Sequence, residues 1–194
     1  MHHHKFFGDE TERHKWQDPE SILLDIGLKS SLTFVDVGCG EGFFAIPAAR
    51  IVGRKGKVYA LDYDEEVITV LEEKAAKEGL ANLRTRVGAA EEIVFCKACA
   101  DIVFFSIVLH DFNDVTKVLA NARRMLKHNG HLVDLDWKKK PMHTGPPLSI
   151  RFSERYAANL IKEAGFKIEQ TKEALPYHYI IIARPLALSV TRED

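Results

Sequence analysis

Phe34 to Ala49 reads FVDVGCGEGFFAIPAA, an apolar strand followed by three alternating glycines and the opening of a helix. Leu32, Phe34, Val35 and Val37 favour extended backbone, Gly38, Gly40 and Gly42 supply the turn, and Ala45, Ala48, Ala49 and Val52 recur at helical spacing. Glycine suits the turn because it accepts positive φ and lets a ligand lie against the backbone at the start of the next helix. A dinucleotide fingerprint, G-x-G-x-x-G/A, needs a small third residue to pack helix on strand beneath a pyrophosphate, and this chain has Phe43 there. Asp36, two residues before Gly38, sets a carboxylate at the strand end, which repels a diphosphate and attracts a cation such as an ammonium group.

One strand–helix unit later, KVYALDYDEE (Lys57 to Glu66) reads as a strand ending in Asp62, a carboxylate placed to accept both hydroxyls of a ribose. Asp62 supports a nucleoside ligand of either the NAD or the sulfonium kind, and Asp36 with Phe43 chooses between them. The pattern Asp-x-Gly-x-Gly-x-Gly at Asp36 to Gly42 resembles motif I of the class I S-adenosylmethionine-dependent methyltransferases, and the chain looks like their small prokaryotic type 11/25 members. The resemblance implies S-adenosylmethionine as cofactor. Asp36 would face its methionine amino group, the backbone of Gly38, Cys39 and Gly40 would floor the site, and Asp62 and Tyr63 would hold the ribose. Ala89, Ala90 and Glu91 would stand at the adenine, and Ser106 would end the fourth strand beside the cofactor. The string Gly88-Ala89-Ala90-Glu91 departs from the family, which usually has an acidic or amide residue where this chain has Ala89. Backbone, Glu91 or apolar packing must then hold the adenine.

The 194 residues, 46% hydrophobic and 28% charged, fit one domain with a core of its own. We expect an N-terminal arm over 1–17, a methyltransferase domain over 18–185 and a tail over 186–194. A net charge of -1 gives no basic field for duplex nucleic acid. No apolar run approaches the ~18 residues of a membrane span and no signal-peptide pattern opens the chain, so a cytoplasmic protein is expected. Three cysteines predict reduced thiols rather than a disulfide framework. His2, His3 and His4 read either as a tag remnant or as a native start, and the string HKFFGDETERHKWQDPE, similar to the opening of the small prokaryotic group, favours the native one. The arm would then fold over the cofactor end of the sheet.

Along the chain, Asp18-Pro19-Glu20 starts a helix with an aspartate cap and proline at the first position. A helix over about Glu65 to Glu78 ends at Gly79, a strand over Leu83 to Gly88 follows, and Asp101 to Ile107 is an apolar run that reads as a strand buried on both faces. A helical stripe from Val115 to Leu126 stops at Asn129-Gly130, before the strand HLVDLDW. Ser153 begins the last helix, and FKIEQTK and YHYIIIARP supply two final strands. Alternating strands and helices with a terminal hairpin predict an α/β, Rossmann-like, mostly parallel sheet with helices on both faces and an antiparallel terminal strand. The resemblance implies seven strands in the order 3-2-1-4-5-7-6.

Leu109-His110-Asp111-Phe112, after the fourth strand, looks like the His-Asp-Trp segment of small-molecule O-methyltransferases, whose histidine is the general base; His110 is therefore the candidate catalytic residue, against the plainer reading of a packed loop histidine. Nothing there resembles the Asn/Asp-Pro-Pro-Tyr/Phe of amino-group methyltransferases. In Asp136 to Pro147, Trp137, Met142 and His143 are candidates to cover an acceptor, while Lys138 to Lys140 read as a solvated run. Cys96-x-x-Cys99 lacks the second pair that zinc requires, and no metal is expected. The expected function is methyl transfer to a small-molecule acceptor. The alternatives are RNA or protein methylation, a non-catalytic cofactor-binding module and, last, an NAD oxidoreductase; whether the chain works alone or as a homodimer stays open.

Overall fold

The computed structural model describes residues 13–187 apart from 15 and 175. The histidines at 2–4, most of the expected arm and the end of the tail lie outside the described residues. In chain order the elements are α1 (Pro19–Asp25), β1 (Thr33–Val37), α2 (Ala45–Val52), β2 (Lys57–Asp62), α3 (Glu65–Lys77), β3 (Leu83–Val87), β4 (Ala100–Ser106), α4 (Val115–Met125), β5 (Leu126–Trp137), α5 (Glu154–Glu163), β6 (Phe166–Ala174) and β7 (His178–Pro185). A short 3-10 turn, Leu109–Asp111, follows β4.

The seven strands order β3-β2-β1-β4-β5-β7-β6, as expected. β1 pairs in parallel with β2 and β4, and β7 runs antiparallel to both β5 and β6. Because Val37 pairs with both Leu61 and Phe105, the next residues, Gly38, Asp62 and Ser106, stand abreast at the carboxyl edge of the sheet. The chain leaves β1 toward β2 on one side and enters β4 on the other, so this edge is the switch point where a doubly wound sheet opens a crevice.

Period-two alternation divides the core between the two faces. Phe34, Val58, Ala60, Ile102, Phe104, Val133 and Leu135 pack under α1, α2 and α3, with Leu23, Phe44, Ala48, Val52 and Leu71. Val35, Val37, Leu61, Val103, Phe105 and Leu132 pack under α4 and α5, with Leu119, Ala122, Ala157 and Ile161.

Asp18 caps α1 as expected, accepting the backbone N–H groups of Glu20 (3.1 Å) and Ser21 (3.4 Å). Asp18→Ala removes this cap and lowers stability by about 1 kcal/mol, a loss that urea titration reads as a lower midpoint with an unchanged slope. The sequence reading is corrected at β5. Asn129-Gly130 does not separate helix from strand: Leu126 already pairs with Ala100, and the register shifts before His131 pairs with Ile102. Gly130 makes this irregularity feasible, since a Cβ there would lie 2.8 Å from the Ala100 carbonyl oxygen.

Candidate active site

The glycine turn is tied to β2 from both sides. Gly38 and Cys39 donate their N–H groups to the Leu61 carbonyl (2.7 and 3.0 Å), and Gly40 N–H donates to Asp62 Oδ2 (2.9 Å). Gly38 has φ +75, and a Cβ there would meet Val108 at 2.6 Å. Gly40 has φ +52, but a Cβ on it would meet nothing within 4 Å, so its backbone faces open space. Asp62 also takes the Asp64 N–H on Oδ1 (3.1 Å), and each carboxylate oxygen keeps a further lone pair for a ligand hydroxyl.

Asp36 lies one pleat behind this turn, 1% exposed, with Oδ1 buried and without a hydrogen-bond partner among the described residues. Burial pushes its carboxyl up to about 7; the Arg13 charge opposes the rise and the Asp62 charge adds to it. A buried carboxyl left so is costly unless a cation completes it.

The other candidate cofactor residues divide. Tyr63 is half exposed at the rim beside Asp62. Cys39 packs its side chain against the core, and its Sγ donates to the Gly40 carbonyl (3.5 Å), so the thiol braces the turn from beneath while the backbone N–H ties it to β2. Gly88 N–H donates to the Asp62 carbonyl (2.8 Å), which brings the loop carrying Ala89 alongside. Ala90 is buried, and the Ala90 and Glu91 carbonyls accept from Asn121 Nδ2 (3.0 and 2.8 Å). Glu91 Oε1 accepts the Asp114 N–H (3.4 Å). Ala90 and Glu91 thus fasten this loop to α4. Ser106 Oγ accepts from Arg13 Nη2 (3.1 Å).

Arg13 was not singled out by the sequence reading. Its guanidinium carbon stands 4.0 Å over the Phe43 ring, and its Nε donates to Gln17 Oε1 (2.7 Å). Trp16 of the same segment stacks on His178 at 5.3 Å and 14°, with Trp137 at 5.7 Å. His178 is fully buried, and neither ring nitrogen has a partner among the described residues. Burial, with the charges of Arg13, Lys138 and Arg151, pushes its pKa down to about 3 and keeps it neutral.

His110 faces the opposite side of the sheet edge. Its side chain is 2% exposed, with Nδ1 donating to Asp136 Oδ2 (2.8 Å) and Nε2 3.2 Å from Asp111 Oδ2. Asp136 is fully buried and accepts the Trp137 N–H on Oδ1 (2.7 Å). Burial works against the imidazolium, but the hydrogen bond and charge of Asp136, with the charge of Asp111, raise the His110 pKa. Asp134, two residues earlier on the same face, is raised well above its usual range by burial and by the charge of Asp136. The sequence did hold a signal for this pair: LVDLDW sets two carboxylates on one face of an otherwise apolar strand.

One further reading is corrected. Lys138 is not part of a solvated run: it is 6% exposed, paired with Glu173 (2.9 Å), and donates to the Pro176 carbonyl (3.3 Å). Arg151 organises this loop by donating to the carbonyls of Pro146 (2.7 Å), Thr144 (2.8 Å), Lys140 (3.2 Å) and Lys138 (3.4 Å). Trp137 is buried, Met142 is partly exposed and His143 is exposed. A left-handed residue at Ala98 (φ 48) turns the chain so that Cys96 and Cys99 come side by side, their Cα atoms 6.0 Å apart, within the range that a disulfide spans.

The edge therefore offers a buried acid for a cation, a second acid for vicinal hydroxyls and an open glycine backbone between them. This donor set fits the sulfonium nucleoside that the sequence implied. A family model described as a methyltransferase domain matches residues 28–176. The demethylmenaquinone methyltransferase of Geobacillus kaustophilus is 32% identical over 142 residues, 73% of this chain and 57% of that protein. The ubiquinone/menaquinone biosynthesis C-methyltransferase UbiE of Sinorhizobium fredii is 28% identical over 167 residues, 86% of this chain and 62% of that protein. The chain thus spans little more than half the length of these curated relatives. The crystal structure of a SAM-dependent methyltransferase from Aquifex aeolicus superposes with a TM-score of 0.84 at 31% identity, covering 90% of this chain and 97% of that one. Among the described residues, no helix is long and apolar enough to cross a membrane.

Proposed function

Because the chain belongs to the S-adenosylmethionine-dependent methyltransferases, we propose that it methylates a small organic acceptor held at the carboxyl ends of β1, β4 and β5. The observation that carries this reading is the Oδ1 of buried Asp36, unpartnered among the described residues, behind the open backbone of Gly40. When bound, the cofactor supplies an electrophilic methyl group on a sulfonium. Asp36 receives the ammonium of its amino acid end, and Asp62 receives the ribose hydroxyls. The chain's main contribution is to hold donor and acceptor in line and close, since a direct displacement needs no covalent enzyme intermediate. The methyltransferase domain, on this reading, is the unit over 18–185, and a cytoplasmic location accords with it.

The names of the relatives make quinone precursors with a ring hydroxyl the first acceptors to test. His110 can take a proton only through Nε2, the nitrogen that faces Asp111, so an acceptor hydroxyl would have to turn Asp111 aside. A base held this way loses its own proton only above its raised pKa, so turnover would climb with pH through that value and His110→Gln would flatten the climb. The decisive measurement is transfer of labelled methyl from S-adenosylmethionine to demethylmenaquinol and to simple dihydroxynaphthalenes. We expect labelled product and calorimetric binding of S-adenosylhomocysteine. Tight binding of S-adenosylhomocysteine with no transfer to any ring acceptor would replace this reading with that of a cofactor-binding module, and binding of NAD instead would overturn the cofactor.

A further inference from the structure

The segment from Gly88 to Cys99 crosses from the end of β3 to the start of β4, and α4 holds it at both ends. Asn121 Nδ2 donates to the carbonyls of Ala90 and Glu91 (3.0 and 2.8 Å), while Ala98 and Cys99 donate their N–H groups to the carbonyls of Arg124 and Met125 (3.0 and 2.9 Å), the last two residues of the helix. Between these anchors Phe95 rests on Tyr59, ring centroids 5.0 Å apart. Held in this way, the chain turns at Ala98 with φ 48, a left-handed conformation that is costly for alanine and persists only where the surroundings impose it. The turn sets the Cα atoms of Cys96 and Cys99 6.0 Å apart, where extended chain would set them about 10 Å apart. Lys97 and Ala98 at the tip are exposed, and both cysteines are partly exposed. Cys39, the third cysteine, is buried in the core cluster on the other face of the sheet.

We propose that Cys96 and Cys99 are a thiol-oxidation site, a reversible dithiol pair that small-molecule disulfides such as oxidised glutathione convert to an intramolecular disulfide, which staples the turn and holds the loop on α4. Cys99 packs against the core cluster under α4, which Cys96 does not join, so Cys96 is the point of entry. Its thiolate attacks one sulfur of the incoming disulfide, forming a mixed disulfide and releasing the first thiol; the Cys99 thiolate then displaces the second. The pair loses two electrons and two protons, and the incoming disulfide takes them up as two thiols. The preset turn favours the second step, because the resolving thiol already stands beside the mixed disulfide. An added dithiol reverses both steps, and the exposure of the turn gives it access.

Mass spectrometry of the folded full chain, equilibrated with oxidised glutathione and quenched in acid, tests the pair directly. Wild type should lose only the two hydrogens of one intramolecular disulfide between Cys96 and Cys99, and dithiothreitol should restore them. Cys96→Ser should instead keep glutathione on Cys99, because no second thiol stands by to displace it. A wild-type chain that stays fully reduced, or that accumulates glutathione adducts without closing the bond, overturns the proposal. The staple itself is read by trypsin acting on the native chain at Lys97, a cut that requires the turn to open. Oxidation should slow this cut roughly tenfold in wild type, and the double variant Cys96→Ala/Cys99→Ala should be cut at one rate in both buffers. Equal rates for oxidised and reduced wild type, including no cut in either, overturn the staple. The mass measurement needs no variant, so the test stands even if a substituted chain folds poorly.

Discussion

Asp36→Asn weakens S-adenosylhomocysteine by about 2 kcal/mol near pH 8, roughly 30-fold, and removes a pH dependence that the wild-type chain shows. Asparagine keeps the size and the oxygen of the carboxylate but not the charge that an ammonium requires. In the ligand-free chain the Asp36 carboxyl titrates at about 7 because it is buried. Below that pH it carries a proton that the ligand ammonium must expel. Affinity therefore falls about tenfold for each pH unit below about 7, with one proton released per ligand bound. Above about 8 the ligand's own α-amino group deprotonates and affinity falls again. Wild type should thus bind most tightly between these limits, and Asp36→Asn should lose the acid limb and keep the alkaline one. Calorimetry in buffers of different ionisation enthalpy counts the released proton directly. A wild-type affinity that is flat between about pH 5.5 and 7 would refute the pairing of Asp36 with the ammonium.

Part of this candidate site is legible in the sequence and part is not. The placement of Asp36, Gly38, Gly40 and Asp62 at one edge was legible because it follows from local geometry: a strand end, a turn that needs positive φ, and a carboxylate at a fixed offset. Alternation and the terminal hairpin, both short-range patterns, disclosed a mostly parallel sheet with an antiparallel edge, whereas the strand order came only with the resemblance to the methyltransferases. Arg13 was not legible as a site residue, since it reaches Ser106 across 93 residues and no spacing rule links an N-terminal arm to a strand end. The partnership of His110 with Asp136 spans 26 residues and depends on the two strand ends lying side by side. Lys138 misled for the opposite reason: a run of lysines is ordinarily a solvated surface, and only the antiparallel return of β7 brings the Pro176 carbonyl and Glu173 to it. β5 began early because Gly130, read as a stop, allows the irregular stretch to press against β4.

His178 and Asp36 should pull the acid stability of the ligand-free chain in opposite directions, with the second large effect falling on His178. Both are buried, so their shifts count nearly in full. The pKa of His178 falls from 6.5 in the unfolded chain to about 3 when folded. The depressed value means that its contribution is fully present above about 6.5 and is lost as pH falls, by about 1.4 kcal/mol per unit and up to about 5 kcal/mol at pH 3. Asp36 is raised from 3.8 to about 7. Its contribution is fully present below about 4 and is lost as pH rises, by about 4 kcal/mol at pH 7. Between about pH 4 and 6.5 the two slopes cancel, and wild type shows little net dependence from this pair. His178→Phe keeps a ring between Trp16 and Trp137 and deletes one slope, so its stability relative to wild type should rise by about 2–3 kcal/mol as pH falls from 6.5 to 4.5. Asp36→Asn deletes the other, so its stability relative to wild type should fall over the same interval, and the double variant should regain the flat profile. Urea unfolding at a series of pH values reads all four chains. Parallel curves for wild type and His178→Phe would mean that His178 takes up a proton in the folded state, and the sealed aromatic box around it would have to open in solution.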